Sequence, residues 1–166
     1  MSVFKVKGKY VFEAPNVTRK HESQASWKKF AMIQFDCEMD AYYRWLLEKR
    51  FAVKLNRPLR GPHVTIVNDK EGDMIPGSWE ATMKKYQGQE VEIYLCSDLR
   101  TDGSHWWLRA GGDGLWQPRM ELGIDHPYWS FHMSIGYANE RNIEHSEYIL
   151  QTIKLHETGR KYTKTN

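Results

Sequence analysis

Two short segments of the chain resemble each other, PHVTIV at residues 62–67 and FHMSIG at residues 131–136. Each contains a histidine, then an apolar residue, a hydroxyl-bearing residue and a second apolar residue. Both segments are mostly apolar with β-branched or aromatic side chains, which is typical of buried strands. We therefore predict a strand at each segment, with the rest of the fold built around the two.

The alternation of side chains along a strand puts polar groups on one face of each segment. Side chains at positions i and i+2 point to the same face, so His63 shares a face with Thr65, and His132 with Ser134. A polar face on an otherwise buried strand is costly unless it lines a cleft. One such histidine is more often a hydrogen-bonded core residue, but two copies of the pattern favour a catalytic site.

Paired imidazoles and hydroxyls suit the cleavage of a phosphodiester without a metal ion. One histidine can remove the proton from the attacking oxygen while the other protonates the leaving oxygen, because imidazole titrates near neutral pH. Each hydroxyl can donate a hydrogen bond to a non-bridging phosphate oxygen as negative charge develops. The pattern therefore predicts an enzyme that works by general acid–base catalysis and needs no cofactor.

The repeated pattern resembles the signature of the two-histidine (2H) phosphoesterases, which is a repeated His-x-[Ser/Thr]-apolar; here the second hydroxyl belongs to Ser134. The resemblance implies catalytic roles for His63, Thr65, His132 and Ser134. It also implies the α+β fold of that superfamily: two pseudo-symmetric lobes of antiparallel strands with flanking helices and a central cleft. On this expectation residues 1–166 form a single domain. The first motif lobe would span about 30–90 and the second about 91–160.

Within that superfamily, the chain looks most like the phage anti-CBASS cyclic-oligonucleotide phosphodiesterases. The likeness lies in the size, the 69-residue separation of the motifs, and the segments YYRW at 42–45 and GPH at 61–63. It implies hydrolysis of a 3′-5′ phosphodiester in cyclic di- or trinucleotide defence signals, by which a bacteriophage evades host defence. The alternatives are a 2′,3′-cyclic phosphate or 2′-5′ RNA phosphodiesterase, or a non-catalytic module that binds nucleotides or RNA.

The composition fits a small anionic ligand better than duplex DNA. The 166 residues include 24 Lys and Arg against 21 Asp and Glu, a formal net charge of only +3, whereas proteins that coat duplex nucleic acid are usually more basic. No apolar run is long enough for a membrane helix, and the first residues lack the pattern of a signal peptide. We therefore expect a cytoplasmic protein with no membrane partner and free thiols at Cys37 and Cys96. The sequence leaves the oligomeric state open.

Aromatic residues, at 13% of the chain, supply candidate base-stacking groups. Trp106 and Trp107 are adjacent on a predicted strand, so one indole should lie in the core while the other can stack a base. Tyr137 shares a face with the motif hydroxyl only if its strand bulges at Gly136. Arg60 precedes the first motif and can meet a phosphate. We take Trp106, Trp107, Tyr137 and Arg60 as the candidate substrate contacts.

A metal centre is not predicted. Asp125, His126 and His132 are close in sequence, but Pro127 and the strand interrupt the spacing that a ligand set needs. His21, His105, His145 and His156 have no partners at ligand spacing, and neither HExxH nor a paired CxxC occurs.

Periodicity and turn residues complete a mixed α+β prediction. We predict strands at 10–13, 30–35, 63–67, 89–96, 105–109 and 131–137, helices at 38–51, 78–86 and 139–156, a loop with a helical turn at 16–26, and a glycine-rich loop at 110–115.

Overall fold

A computed structural model describes residues 2–15, 29–68, 70–124, 127 and 129–162. The described part contains six strands: β1 (Val3–Phe12), β2 (Ala31–Phe35), β3 (His63–Val67), β4 (Glu90–Thr101), β5 (His105–Gly111) and β6 (His132–Tyr137). It also contains four α-helices: α1 (Met39–Phe51), α2 (Trp79–Tyr86), α3 (Asp113–Glu121) and α4 (Ile143–Tyr162). A short 3-10 helix lies at Gly72–Met74. The predicted α+β class is therefore confirmed.

The six strands form a closed barrel in the order β1-β2-β3-β6-β5-β4. All neighbouring strands are antiparallel, as predicted. Along the chain, the element order strand, strand, helix, strand, helix occurs twice, once from β1 to α2 and once from β4 to α4. The strand that carries each motif is the third strand of each series, and the barrel order makes these two strands direct neighbours.

One face of the sheet forms the core together with the helices. Its side chains include Ile33, Val64, Leu108 and Met133, none of which is exposed. Apolar side chains from the helices join the same cluster: Leu47, Trp79, Tyr86, Leu115 and Ile149. Burial of this apolar face is the main favourable contribution to folding. It leaves the opposite face of the strands for polar groups.

The first two helices have the end signals that the sequence indicates. Asp40 lies in the first turn of α1, and Lys49 and Arg50 lie in its last turn, so these charges complement the helix dipole. At the start of α2, Ser78 Oγ accepts a hydrogen bond of 3.2 Å from the backbone N–H of Ala81, which caps the helix. Both predicted helices are confirmed.

The predicted loop at 110–115 is wrong, because β5 continues to Gly111 and α3 begins at Asp113. Gly114 and Pro118 have low helix propensity, so the local sequence does not predict α3. Pro118 has no N–H to donate to the carbonyl of Gly114, four residues earlier. Tyr10 Oη donates to that carbonyl instead, at 2.7 Å. A contact from β1, distant in sequence, therefore makes this helix possible.

Three further expectations concern the two cysteines, the loop at 16–26 and membrane-spanning helices. Cys37 and Cys96 are free thiols, as predicted, although both are only half-buried. The predicted loop at 16–26 lies outside the described residues. Within the part of the chain that the structure describes, no helix has the length and apolar character needed to cross a membrane.

Gly136, in the second motif strand, lies too close to a neighbouring segment for a side chain. A Cβ atom there would lie 2.6 Å from the carbonyl oxygen of Asn56 and 3.0 Å from Leu55 Cβ, whereas a Cβ at Gly111 would meet nothing within 4 Å. We expect Gly136→Ala to lower the free energy of unfolding by about 1–3 kcal/mol through overpacking. Gly111→Ala, the matched control, should change it little. Urea denaturation measures both, and equal stabilities would contradict the packing at Gly136.

Candidate active site

The two motif strands lie side by side and bring all four predicted catalytic side chains onto one face. Val64 on β3 pairs with Met133 on β6 in antiparallel register. This register places His63 opposite Ser134, and it places Thr65 opposite His132. Cross-strand neighbours of this kind have Cβ atoms about 4.5–5.5 Å apart. The four side chains are half-buried, while the residues between them are buried in the core.

The two imidazoles are held in the same way. Nδ1 of His63 lies 2.8 Å from the carbonyl oxygen of Gly61, and Nδ1 of His132 lies 2.7 Å from that of Ser130. A carbonyl oxygen can only accept, so Nδ1 carries the proton in each ring. In the neutral form of each ring, Nε2 is therefore the basic nitrogen.

His63 has an environment that favours its neutral form. Burial lowers the pKa of His63 below its ordinary value of 6.5. The hydrogen bond to Gly61 acts in the opposite direction, while the positive charge of Arg60 and the neighbouring His132 lower the pKa further.

Strand β5 extends the polar face beyond the motifs. Trp107 pairs with Ser134, and Arg109 pairs with His132. The Trp107 and His132 rings have centroids 6.0 Å apart. Arg109 Nη2 lies 3.8 Å from Asp98 on β4, whose carboxylate also pairs with Arg100 at 2.8 Å. An aromatic ring and the Arg109 guanidinium therefore lie next to the second motif.

A β-bulge brings Tyr137 to the same face. Trp106 pairs with Gly136, but Trp107 pairs with Ser134, so β6 contains one extra residue at this point. Tyr137 is then opposite His105, and their ring centroids are 6.5 Å apart. Tyr137 therefore shares a face with Ser134, which the strand alternation allows only with a bulge.

The structure separates the two tryptophans, as the alternation predicts. Trp106 belongs to the buried core and is only 1% exposed, whereas Trp107 is half-buried beside His132. Arg60 lies three residues before His63; its guanidinium is 4.7 Å from the centre of the Phe30 ring, and its Nη1 donates to the carbonyl of Pro15 at 2.8 Å.

A cavity of about 370 Å³ opens beside the second motif. Trp107, Trp129, His132, Ser134 and His105 contribute to its lining. An indole, an imidazole and a hydroxyl group at one surface suit a ligand that has both a flat ring and a polar substituent.

Two arginines, the buried Arg119 and the half-buried Arg44, each donate to a motif strand from a helix of the other series of elements. Arg119 on α3 donates to the carbonyl of Ile66 at 2.7 Å and forms two hydrogen bonds with Glu71, at 2.9 and 2.8 Å. Ile66 lies three residues after the first motif histidine. Arg119 is 1% exposed, so this ion pair is almost dry.

The second motif strand has the equivalent contact. Arg44 on α1 donates to the carbonyl of Ile135 at 2.7 Å and pairs with Asp40 at 2.7 Å. Ile135 lies three residues after the second motif histidine, so the two contacts occupy the same motif position. Sequence reasoning missed this role for both arginines. An isolated arginine on a helix gives no sign of which carbonyl its side chain reaches.

Asp125 and His126, two of the three clustered residues that could bind a metal ion, lie outside the described residues. Within those that the structure describes, no group of three or more His, Cys, Asp or Glu side chains is arranged to hold a metal ion.

Comparisons of the chain with protein-family models, curated proteins and solved structures found no match. The site is therefore interpreted from its own geometry and chemistry.

The buried ion pair behind the first motif provides a test of this arrangement. Arg119→Met leaves the Glu71 carboxylate buried without its partner, so we expect a loss of about 3–5 kcal/mol in the free energy of unfolding. The double variant Arg119→Met/Glu71→Leu removes both charges and should recover a large part of that loss. Chemical denaturation followed by circular dichroism measures both. A single variant as stable as the parent would contradict the buried pair.

Proposed function

We propose that this protein is a metal-independent phosphodiesterase that hydrolyses a 3′-5′ phosphodiester of a nucleotide. The observation that carries the proposal is the matched placement of His63, Thr65, His132 and Ser134 on one face of two paired strands. Two imidazoles and two hydroxyls on a common face can surround one phosphate group. In each ring, Nδ1 is hydrogen-bonded to a backbone carbonyl, which leaves Nε2 to transfer a proton. This shared arrangement supports the proposal.

The likeness of the two motif environments extends to the fold, and we propose that the two series of elements are pseudo-symmetric halves, as in the 2H phosphoesterases. The repeated element order supports this, as does the exchange of helix contacts in which Arg44 and Arg119 bind the same position of opposite motifs. The polar face of β3, β6 and β5 is then the catalytic cleft between the halves.

The environments of the histidines suggest different roles for them. His63 has a lowered pKa and is neutral over a wider pH range, so its Nε2 is suited to take the proton from the attacking 2′-hydroxyl or water. His132 then protonates the leaving 5′-oxygen. Thr65 and Ser134 donate to the non-bridging oxygens as charge develops on the phosphate.

Substrate contacts follow from the neighbours of the motifs. Trp107 can stack a base beside the reacting phosphate, since its ring lies next to His132. Arg109 on one side and Arg60 on the other can attract the phosphate. Tyr137 extends the aromatic surface along β6.

The preferred substrate in this proposal is a cyclic di- or trinucleotide defence signal, cleaved in the cytoplasm of a bacterium infected by a phage. This part rests on the resemblance to the anti-CBASS phosphodiesterases. Incubation with cyclic dinucleotides, cyclic trinucleotides, 2′,3′-cyclic phosphates and 2′-5′ linked RNA, with products read by mass spectrometry, tests the proposal and selects among these substrates.

Turnover should persist in EDTA, because the two imidazoles carry both proton transfers.

Substitution of the histidines tests the catalytic assignment. His63→Ala and His132→Ala should each remove most turnover, and the double variant should be little worse than either, because the two act as a unit. Thr65→Ala and Ser134→Ala should cost less, at most about 10²–10³ in rate.

The control for these variants is His156→Ala, since His156 is an exposed histidine of α4. It should retain full turnover. A folded His63→Ala variant that binds nucleotide and still cleaves it at the parental rate would contradict the proposal and favour a binding module.

The dependence of kcat/KM on pH tests the assignment of His63 as the base. The base must be neutral, and its pKa is lowered, so activity should persist as pH falls and be lost only below 6.5. Since the charge of Arg60 lowers this pKa, Arg60→Gln should move the acid limb of the profile to higher pH. An acid limb above 6.5 that Arg60→Gln leaves in place would contradict the assignment.

A further inference from the structure

Strand β5 begins with a third histidine, His105, at the edge of the candidate site. His105 lies on the same face of β5 as Trp107 and Arg109, because the intervening residues are buried. Its ring is next to that of Tyr137, and its side chain lines the same cavity as His132. The His105 side chain is 67% exposed, so a ligand can reach it.

The Asp102 carboxylate lies next to the His105 imidazole and helps to fix its orientation. Burial acts to raise the pKa of Asp102, but hydrogen bonds from the backbone N–H groups of His105 and Ser104 outweigh it and lower the pKa to about 2. Asp102 is therefore ionised at any pH near neutrality. Its Oδ2 lies 3.3 Å from His105 Nδ1, and Ser104 Oγ lies 3.1 Å from the same nitrogen, so Nδ1 faces the turn that contains Asp102 and Ser104.

This orientation leaves Nε2 of His105 for a ligand. A protonated imidazole can donate an N–H from Nε2 to an anion, while the carboxylate behind it balances the positive charge. The Asp102–His105 pair therefore suits an anionic group better than an uncharged base edge.

The distance along β5 determines which part of a ligand reaches His105. His105 lies four residues from Arg109, the cross-strand partner of His132, or about 13 Å at ~3.3 Å per residue. Trp107 lies between them and can stack a base. A group bound at His105 therefore lies beyond that base, on the side away from His132. A single nucleotide with its phosphate at the catalytic histidines has no second anionic group to place there.

We infer that His105, held by Asp102, binds a second phosphate of the ligand and so makes the site selective for dinucleotides and larger rings over mononucleotides. The inference rests on the proposed function and deepens it by naming the feature of the substrate that this side chain recognises.

Binding to a catalytically impaired protein tests the inference, because the ligand then stays intact. In a His63→Ala background, isothermal titration would measure the Kd of a cyclic dinucleotide and of a nucleoside 2′,3′-cyclic monophosphate. His105→Ala should weaken binding of the dinucleotide about tenfold or more, as expected for loss of a charged hydrogen bond, and leave that of the mononucleotide unchanged. Asp102→Asn should have a smaller effect in the same direction. His145→Ala, on the exposed surface of α4, is the matched control.

The two ligands distinguish phosphate recognition from other roles of His105. Equal weakening of both ligands by His105→Ala, or unchanged binding of the dinucleotide, would overturn the inference while the proposed function stands. If neither ligand binds the His63→Ala protein and neither is cleaved by the parent, the proposed function itself fails and the inference fails with it.

Discussion

The candidate site depends on the antiparallel pairing of β3 with β6 at Val64 and Met133. Both side chains are fully buried, so the apolar face fixes which way each strand is turned. A shift of one residue in either strand would turn its histidine and hydroxyl into the core and expose the apolar residues. The same pairing joins the two series of strands and, together with the β1–β4 pairing, closes the barrel. One register therefore determines both the ring of strands and the assembly of four polar side chains.

Arg119 and Arg44 contact the two paired motif strands through main-chain carbonyls. Removing two charges from water is costly, and a buried ion pair often contributes little net stability compared with apolar residues. Arg119 and Arg44 do something that apolar residues cannot, because each donates a hydrogen bond to a main-chain carbonyl of a motif strand. Each also ties a helix of one series to a strand of the other. We interpret these contacts as specifying strand position at some cost in desolvation.

The two histidines of the motifs have the same local geometry but different surroundings. Each Nδ1 faces a carbonyl two residues earlier, which is a property of the motif and its preceding turn. The lowered pKa of His63 comes from burial and from Arg60, whereas Trp107 lies against His132. In the proposed mechanism, these different surroundings give two like residues different roles. The aromatic and basic groups of β5, including His105, lie on the side of His132.

The sequence by itself determined the polar and apolar faces of the motif strands, the capped helix α2 and the separation of Trp106 from Trp107. These follow from strand alternation and helix capping, which act between residues close together in the chain. Tertiary structure alone decided that β3 and β6 are neighbours, that a bulge brings Tyr137 beside His105, and that Arg44 and Arg119 reach opposite motifs. It also decided helix α3, whose Gly114 and Pro118 are tolerated because Tyr10 supplies the missing donor. Each of these depends on contacts between residues far apart in sequence, which local patterns do not encode.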